Sequence, residues 1–77
     1  MSAPERLTYM ANQIAQYFAS QPGDTAAAGT RDHLKAFWPP RMRKAILEHL
    51  AGGGAGLSPV ARAAVELLRE PQAADGA

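Results

Sequence analysis

The sequence predicts a small all-α protein, a bundle of about four short helices. Two observations support this fold class. Apolar residues recur every three or four positions in four segments of the chain, and Pro or Gly residues, which interrupt helices, separate these segments. The chain has only 77 residues, enough for one domain. We assign this single helical domain to residues 4–70 and expect residues 71–77, which are small and polar, to form a disordered tail.

The first helix is predicted from Pro4 to Ser20. One apolar stripe lies within about a 120° arc of this helix and is formed by Leu7, Met10, Ala11, Ile14, Tyr17 and Phe18. The face opposite this stripe carries Thr8 and Asn12. Tyr9 also projects from that face, so Tyr9 should be exposed.

The second helix is predicted to start at a cap formed by Asp24 or Thr25. Two consecutive prolines, Pro39 and Pro40, end it. Because the residue before a proline avoids helical geometry, Trp38 should lie at the helix boundary. The predicted core face comprises Ala27, Thr30, Leu34, Phe37 and Trp38.

The third helix should begin at Pro40 and run to about Leu50, where four glycines in residues 52–56 stop it with a left-handed cap and a flexible connector. Leu47 lies outside its apolar stripe. That stripe is Met42, Ala45, Ile46, His49 and Leu50.

The fourth helix has a clear start, with Ser58 as N-cap and Pro59 as the first helical residue. It should end near Arg69, before Pro71, and Val65 should lie to one side of its buried face. That face is predicted to be Val60, Ala64, Leu67 and Leu68.

The predicted core is thin. Ala supplies 17 of the residues behind the 47% hydrophobic content, whereas Leu, Ile, Val and Phe together number 13. Chains this short usually need a disulfide, a metal or a partner to supplement the core. The absence of Cys excludes a disulfide and thiolate-held iron–sulfur clusters in this chain. A protein partner is therefore expected.

The sequence contains no recognisable catalytic, cofactor-binding or metal site. His33 and His49 lack ligand spacing with nearby carboxylates, and no Ser has a His placed as its base. The glycine run lacks the preceding strand and the Lys-Ser/Thr of a phosphate-binding loop. No apolar run approaches the ~20 residues of a membrane span, and the N-terminus lacks secretory-signal features. We expect a cytoplasmic protein with no membrane contact.

Protein binding is the favoured function at this point. The segment from Trp38 to Arg43 concentrates Trp, Arg and Met, which are enriched at interfaces. Arg41 and Arg43 should point away from the core and pair with carboxylates of a partner. A core position for Trp38 is an alternative, and its ring could serve both roles. The predicted partner-binding residues are Tyr9, Trp38, Pro40, Arg41, Arg43 and Leu47.

The uneven distribution of charge along the chain is compatible with a second class of function, nucleic-acid binding. Residues 31–49 hold five basic and two acidic side chains, whereas the whole chain carries +1. A basic third helix after a short corner is compatible with a helix-turn-helix that binds nucleic acid through Arg41, Arg43 and Lys44. Residues 41–50 contain no Asn, Gln, Ser or Thr to read bases beside Arg, which makes nucleic acid the weaker alternative.

Three blocks of the sequence resemble a known family. They are residues 6–18, with Met10-Ala11-Asn12-Gln13-Ile14-Ala15 inside, residues 33–43, and residues 53–60. Together they resemble the delta subunit of soluble NAD-dependent molybdenum formate dehydrogenases over roughly residues 5–68. The most specific part is Phe37-Trp38-Pro39-Pro40-Arg41-Met42-Arg43.

This resemblance implies a small accessory subunit of a cytoplasmic complex. In such complexes the alpha subunit carries bis-molybdopterin guanine dinucleotide and iron–sulfur clusters, and the beta and gamma subunits pass electrons through FMN and further clusters to NAD. The resemblance implies that this chain docks on the alpha subunit and supports assembly, stability or cofactor loading. It implies no catalytic residue and no cofactor in this chain.

Overall fold

The computed structural model describes residues 2–69. Within this range the chain forms four α-helices and no strand. They are α1 (Ala3–Ala19), α2 (Ala26–Phe37), α3 (Pro40–Ala51) and α4 (Pro59–Arg69). The all-α fold class is thereby confirmed, and the helices start and end within two residues of the positions predicted from the Pro and Gly residues. The tail predicted at residues 71–77 lies outside the described residues.

Two serine caps fix the starts of the first and last helices. Ser2 Oγ accepts the Glu5 N–H at 3.3 Å, and Glu5 Oε1 accepts the Ser2 N–H at 2.9 Å. The hydrogen bond from the Ser2 backbone N–H and, to a lesser degree, the Ser2 side chain hold the pKa of the Glu5 carboxyl below its ordinary value. Ser58 Oγ accepts the Ala61 N–H at 3.2 Å, as predicted for α4. Thr25 lies at the N-cap position of α2, but its side chain makes no capping bond.

The core lies where α4 meets the other three helices. Both α2 and α3 pack on α1 and α4, but they touch each other little. Several core residues are alanines, and their small side chains let helices approach closely. The buried cluster consists of Leu7, Ala11, Ala15, Leu34, Trp38, Ile46, Leu50, Leu57, Ala61 and Val65.

The buried face of α1 differs from the predicted stripe. Tyr17, predicted in the stripe, is 61% exposed, whereas Thr8, predicted on the opposite face, is only 7% exposed. Leu7, Thr8, Ala11 and Ala15 are the buried residues of α1, so its core face is turned roughly 70° toward the small side chains. The reason is tertiary, since the loop at Gly56 packs against Thr8.

The same rotation occurs in α4. Val65, predicted to lie to one side, is completely buried together with Ala61 and Ala64. Val60 and Leu67, predicted in the core, are only half-buried. Because α4 packs against three helices, its short side chains occupy the closest contacts and its longer ones move to the edges.

In α2 the prediction for Phe37 is wrong, because its side chain is 72% exposed. Leu34 and Thr30 are fully buried as predicted, and the Thr30 hydroxyl donates to the Ala26 carbonyl at 2.8 Å. Trp38 ends α2 in an extended conformation, with φ −83° and ψ 134°, and its ring is buried. Next to the two prolines, adjacent aromatic residues therefore have opposite environments: Phe37 lies in solvent and Trp38 lies in the core.

The glycine connector between α3 and α4 is held in place by side chains. Gly53 and Gly54 have φ of 121° and 65°, in the region of positive φ that favours glycine. Gly52 has a φ of −87° and does not lie in that region. Arg62 Nη2 donates to the carbonyls of Gly53 and Gly54 at 2.8 and 3.1 Å. Asn12 Nδ2 donates to the Gly56 carbonyl at 2.9 Å. The run stops α3 as predicted, but the flexible connector that we expected is tied to α1 and α4.

Candidate docking surfaces

The six predicted partner-binding residues differ in their exposure to solvent. Tyr9 is 56% exposed, as predicted, and its hydroxyl accepts Gln13 Nε2 at 2.8 Å. Pro40 and Arg41 are exposed in the first turn of α3. Leu47 is half-buried and packs against the core. Of these four residues, Tyr9, Pro40 and Arg41 are therefore accessible to a partner.

Trp38 belongs to the core rather than to the surface. Its side chain is 6% exposed and lies in the buried cluster at the corner between α2 and α3. This is the alternative position that the sequence left open. Little of its ring remains to contact a partner directly.

Arg43, which was expected to point away from the core and pair with a carboxylate of a partner, is hydrogen-bonded within its own chain. Its Nη1 donates to the carbonyls of Lys35 and Trp38, at 2.8 and 2.9 Å. The last carbonyls of a helix lack partners within the helix, and a positive charge is favourable there. Arg43 therefore closes the C-terminal end of α2 and joins it to α3.

Arg43→Ala should lower the free energy of unfolding by about 1–2 kcal/mol, because two carbonyls lose a charged donor. Arg41→Ala, two positions away and exposed, should change it by less than about 0.5 kcal/mol. Urea denaturation followed by far-UV circular dichroism measures both values. Equal stability of the two variants would show that the Arg43 hydrogen bonds do not stabilise the fold.

A groove opens between the N-terminal turns of α1 and α3, and we call it the basic groove. Its volume is about 550 Å³. Apolar side chains form most of its wall, two arginines contribute charge, and no acidic residue among residues 2–69 lines it. The lining residues are Ala3, Arg6, Leu7, Met10, Arg41, Met42 and Ala45.

A second surface lies at the other end of α1, and we call it the aromatic patch. It consists of Tyr17, Phe18, His33 and Phe37. Ring centroids are 5.1 Å apart for Tyr17 and Phe18, 6.2 Å for Phe18 and His33, and 4.7 Å for His33 and Phe37. Gly29 makes room for this row, because a Cβ there would lie 2.7 Å from Phe18 Cδ1.

Sequence reasoning missed the aromatic patch. Helical spacing assigned Tyr17, Phe18 and Phe37 to the core, yet Tyr17 and Phe37 are mostly exposed and Phe18 is half-buried. The signal that was available in the sequence is the concentration of aromatic residues at the ends of α1 and α2, where no further helix among residues 2–69 covers Tyr17 and Phe37. Contiguous exposed apolar surface on a small protein commonly marks a site of interaction.

The described part of the chain shows no arrangement suited to metal binding. Among residues 2–69, no three His, Asp or Glu side chains are grouped closely enough to hold a metal ion. No helix in this range is long and apolar enough to cross a membrane. The basic groove and the aromatic patch are both suited to binding another protein.

Comparison with known proteins supports the resemblance found in the three sequence blocks. A family model described as the NADH-dependent formate dehydrogenase delta subunit, FdsD, matches residues 6–65. This match covers most of the 77 residues and all four helices in whole or in part. No curated protein and no solved structure shows significant similarity to the chain.

Proposed function

The chain belongs to the delta-subunit family of NADH-dependent formate dehydrogenase, and on this basis we propose that it is a non-catalytic accessory subunit. It docks on the molybdenum-containing alpha subunit, in the cytoplasm, and supports assembly, stability or cofactor loading. The bis-molybdopterin guanine dinucleotide, iron–sulfur clusters and FMN are carried by the alpha, beta and gamma subunits. The lack of Cys in this chain is consistent with that division, since thiolate-held clusters need several Cys ligands.

The aromatic patch is the observation that supports a docking role most directly. Phe37 and Tyr17 are 72% and 61% exposed, although the chain has only two Phe and two Tyr residues. A thin core would be strengthened by burying these rings, but the fold leaves them in solvent. Burying aromatic rings in a partner releases free energy that the isolated fold does not gain.

The helix-turn-helix alternative fits the structure less well. In that motif the two helices pack on each other and the second one enters the major groove. Here α2 and α3 contact each other little. Arg43, one of the three residues assigned to DNA in that alternative, donates to carbonyls of its own chain.

The proposal is tested with the Tyr17→Ser, Phe37→Ser double variant, co-expressed with the other formate dehydrogenase subunits. We expect unchanged helical content, because both rings are mostly exposed, and at least tenfold weaker association with the alpha subunit. Loss of two interfacial aromatic side chains commonly costs about 2 kcal/mol or more. Co-purification measures association, and formate-dependent NAD reduction measures the yield of active enzyme.

Tyr9→Ser is the matched control, since Tyr9 is an exposed aromatic residue of the same helix outside the aromatic patch. It should retain association and activity. If Tyr9→Ser lost association while the Tyr17→Ser, Phe37→Ser variant retained it, the docking surface would include Tyr9, as predicted from the sequence, and not the aromatic patch. Failure of the unaltered chain to co-purify with any formate dehydrogenase subunit would contradict the docking role itself.

A further inference from the structure

We propose that the basic groove binds an amphipathic segment of a partner subunit in which large apolar side chains stand next to carboxylates. This inference rests on the proposed function, because it takes the partner to be a formate dehydrogenase subunit. It goes further by naming a second contact surface and the chemistry of the segment that occupies it.

The apolar wall of the groove determines the first property of the segment. Met10, Met42 and Ala45 are half-buried and pack against the core, and Leu7 belongs to the core cluster. Their outer surfaces line the groove. Methionine side chains adapt their shape to an inserted group, and a volume of about 550 Å³ accommodates several large apolar side chains.

Charge determines the second property. Arg6 and Arg41 are both exposed and line the groove. The only ion pair among the described residues is that of Arg31 with Asp32, so neither groove arginine is neutralised by a described side chain. Guanidinium groups bind carboxylates through paired hydrogen bonds. An acidic segment is therefore attracted, and a basic segment is repelled.

Two other occupants fit the groove less well. Nucleic acid would supply negative charge, but phosphates gain nothing from an apolar wall. Residues 70–77 of this chain contain two acidic residues but no apolar side chain larger than Ala and Pro, so they could not fill the wall. A segment of another protein satisfies both the charge and the apolar surface.

The groove and the aromatic patch are separate sites that can be tested independently. The groove uses residues 3–10 of α1, whereas the patch uses Tyr17 and Phe18. At 1.5 Å rise per residue, Leu7 and Phe18 are roughly 16 Å apart along the helix axis. A partner that contacts both ends of α1 would hold the subunit in one orientation.

The experiment compares two double charge reversals. Arg6→Glu with Arg41→Glu alters the groove, and Lys35→Glu with Lys44→Glu makes the same change of net charge at exposed positions outside it. Circular dichroism first verifies that both variants keep the helical content of the unaltered chain. The affinity for the purified complex of the other subunits is then measured at low and high salt.

We expect the groove variant to bind at least tenfold more weakly than the unaltered chain, and the control variant to stay within about threefold. The salt dependence of binding should also change sign: salt weakens binding of the unaltered chain, but it should strengthen binding of the groove variant, because it screens the repulsion between the two introduced carboxylates and the acidic segment. If both variants lost the same amount of affinity, the effect would come from the net charge of the chain and not from the groove, and the proposal would be overturned.

A crosslinking experiment identifies the occupant. A photoreactive residue replaces Ala3, which is exposed and lines the groove, and the same residue at Asp24 serves as control. The peptide captured from position 3 should come from a partner subunit and combine apolar and acidic residues. Capture of residues 70–77, of nucleic acid or of a basic peptide overturns the proposal.

The outcomes separate this inference from the proposed function. If the unaltered chain binds and the patch variant binds weakly, while the groove variant binds normally, only the groove proposal fails. If the unaltered chain binds no formate dehydrogenase subunit, both fail.

Discussion

Trp38→Ala is expected to lower the free energy of unfolding by about 3–5 kcal/mol, the range typical of removing a buried large aromatic ring. The ring is 6% exposed and packs in the core cluster at the corner between α2 and α3. Domains of this length typically have a total stability of about 4–12 kcal/mol. The variant should therefore lose a large part of its stability and melt at a clearly lower temperature than the unaltered chain, which thermal denaturation followed by circular dichroism measures.

Phe37→Ala is the control, since it removes the neighbouring aromatic ring, which is 72% exposed. It should shift the free energy of unfolding by less than about 0.5 kcal/mol. Similar melting temperatures for the two variants would contradict the placement of Trp38 in the core. Because Trp38→Ala acts on folding, any loss of partner binding in that variant reports on stability rather than on a direct contact.

Val65→Asp should abolish cooperative folding of the isolated chain. Val65 is completely buried where α4 packs against its neighbours. The described core cluster contains only apolar side chains, so no cation there could pair with the introduced carboxylate. An unpaired buried charge costs several kcal/mol in addition to the lost apolar contact. We expect loss of the helical signal, or a melt without a sharp transition.

Leu67→Asp is the matched control on the same helix. Helical spacing predicts Leu67 in the core and Val65 at the side, whereas the structure leaves Leu67 half-buried and outside the core contacts. Leu67→Asp should keep the fold and lose only about 1–2 kcal/mol. If Leu67→Asp destabilised the fold more than Val65→Asp, the buried face predicted from the sequence would be correct and the one in the structure would be wrong.

The sequence by itself determined the number, the order and the ends of the helices. Prolines, glycines and serine caps act within a few residues of their own position, so their effects can be read without knowing the fold. Ser58 with Pro59 starts α4 as predicted, and the prolines after Trp38 separate α2 from α3. The three sequence blocks likewise identified the family that the comparison then matched.

Tertiary structure decided which side of each helix is buried. Periodicity predicts that an apolar face exists, but the partner helices select its exact direction. In α1 and α4 they selected Ala11, Ala15, Ala61 and Ala64, because small side chains allow the closest packing. That choice left Tyr17 exposed, and the end of α2 left Phe37 exposed, which together created the aromatic patch.

Tertiary structure also decided the roles of individual polar residues. Arg43 and Arg41 are two positions apart and chemically identical, yet one binds the carbonyl end of α2 and the other faces a groove. Asn12, predicted on the polar face of α1, bonds to the connector more than 40 residues away in sequence. Such contacts depend on where distant backbone groups come to lie, and that position follows only from the packing of all four helices.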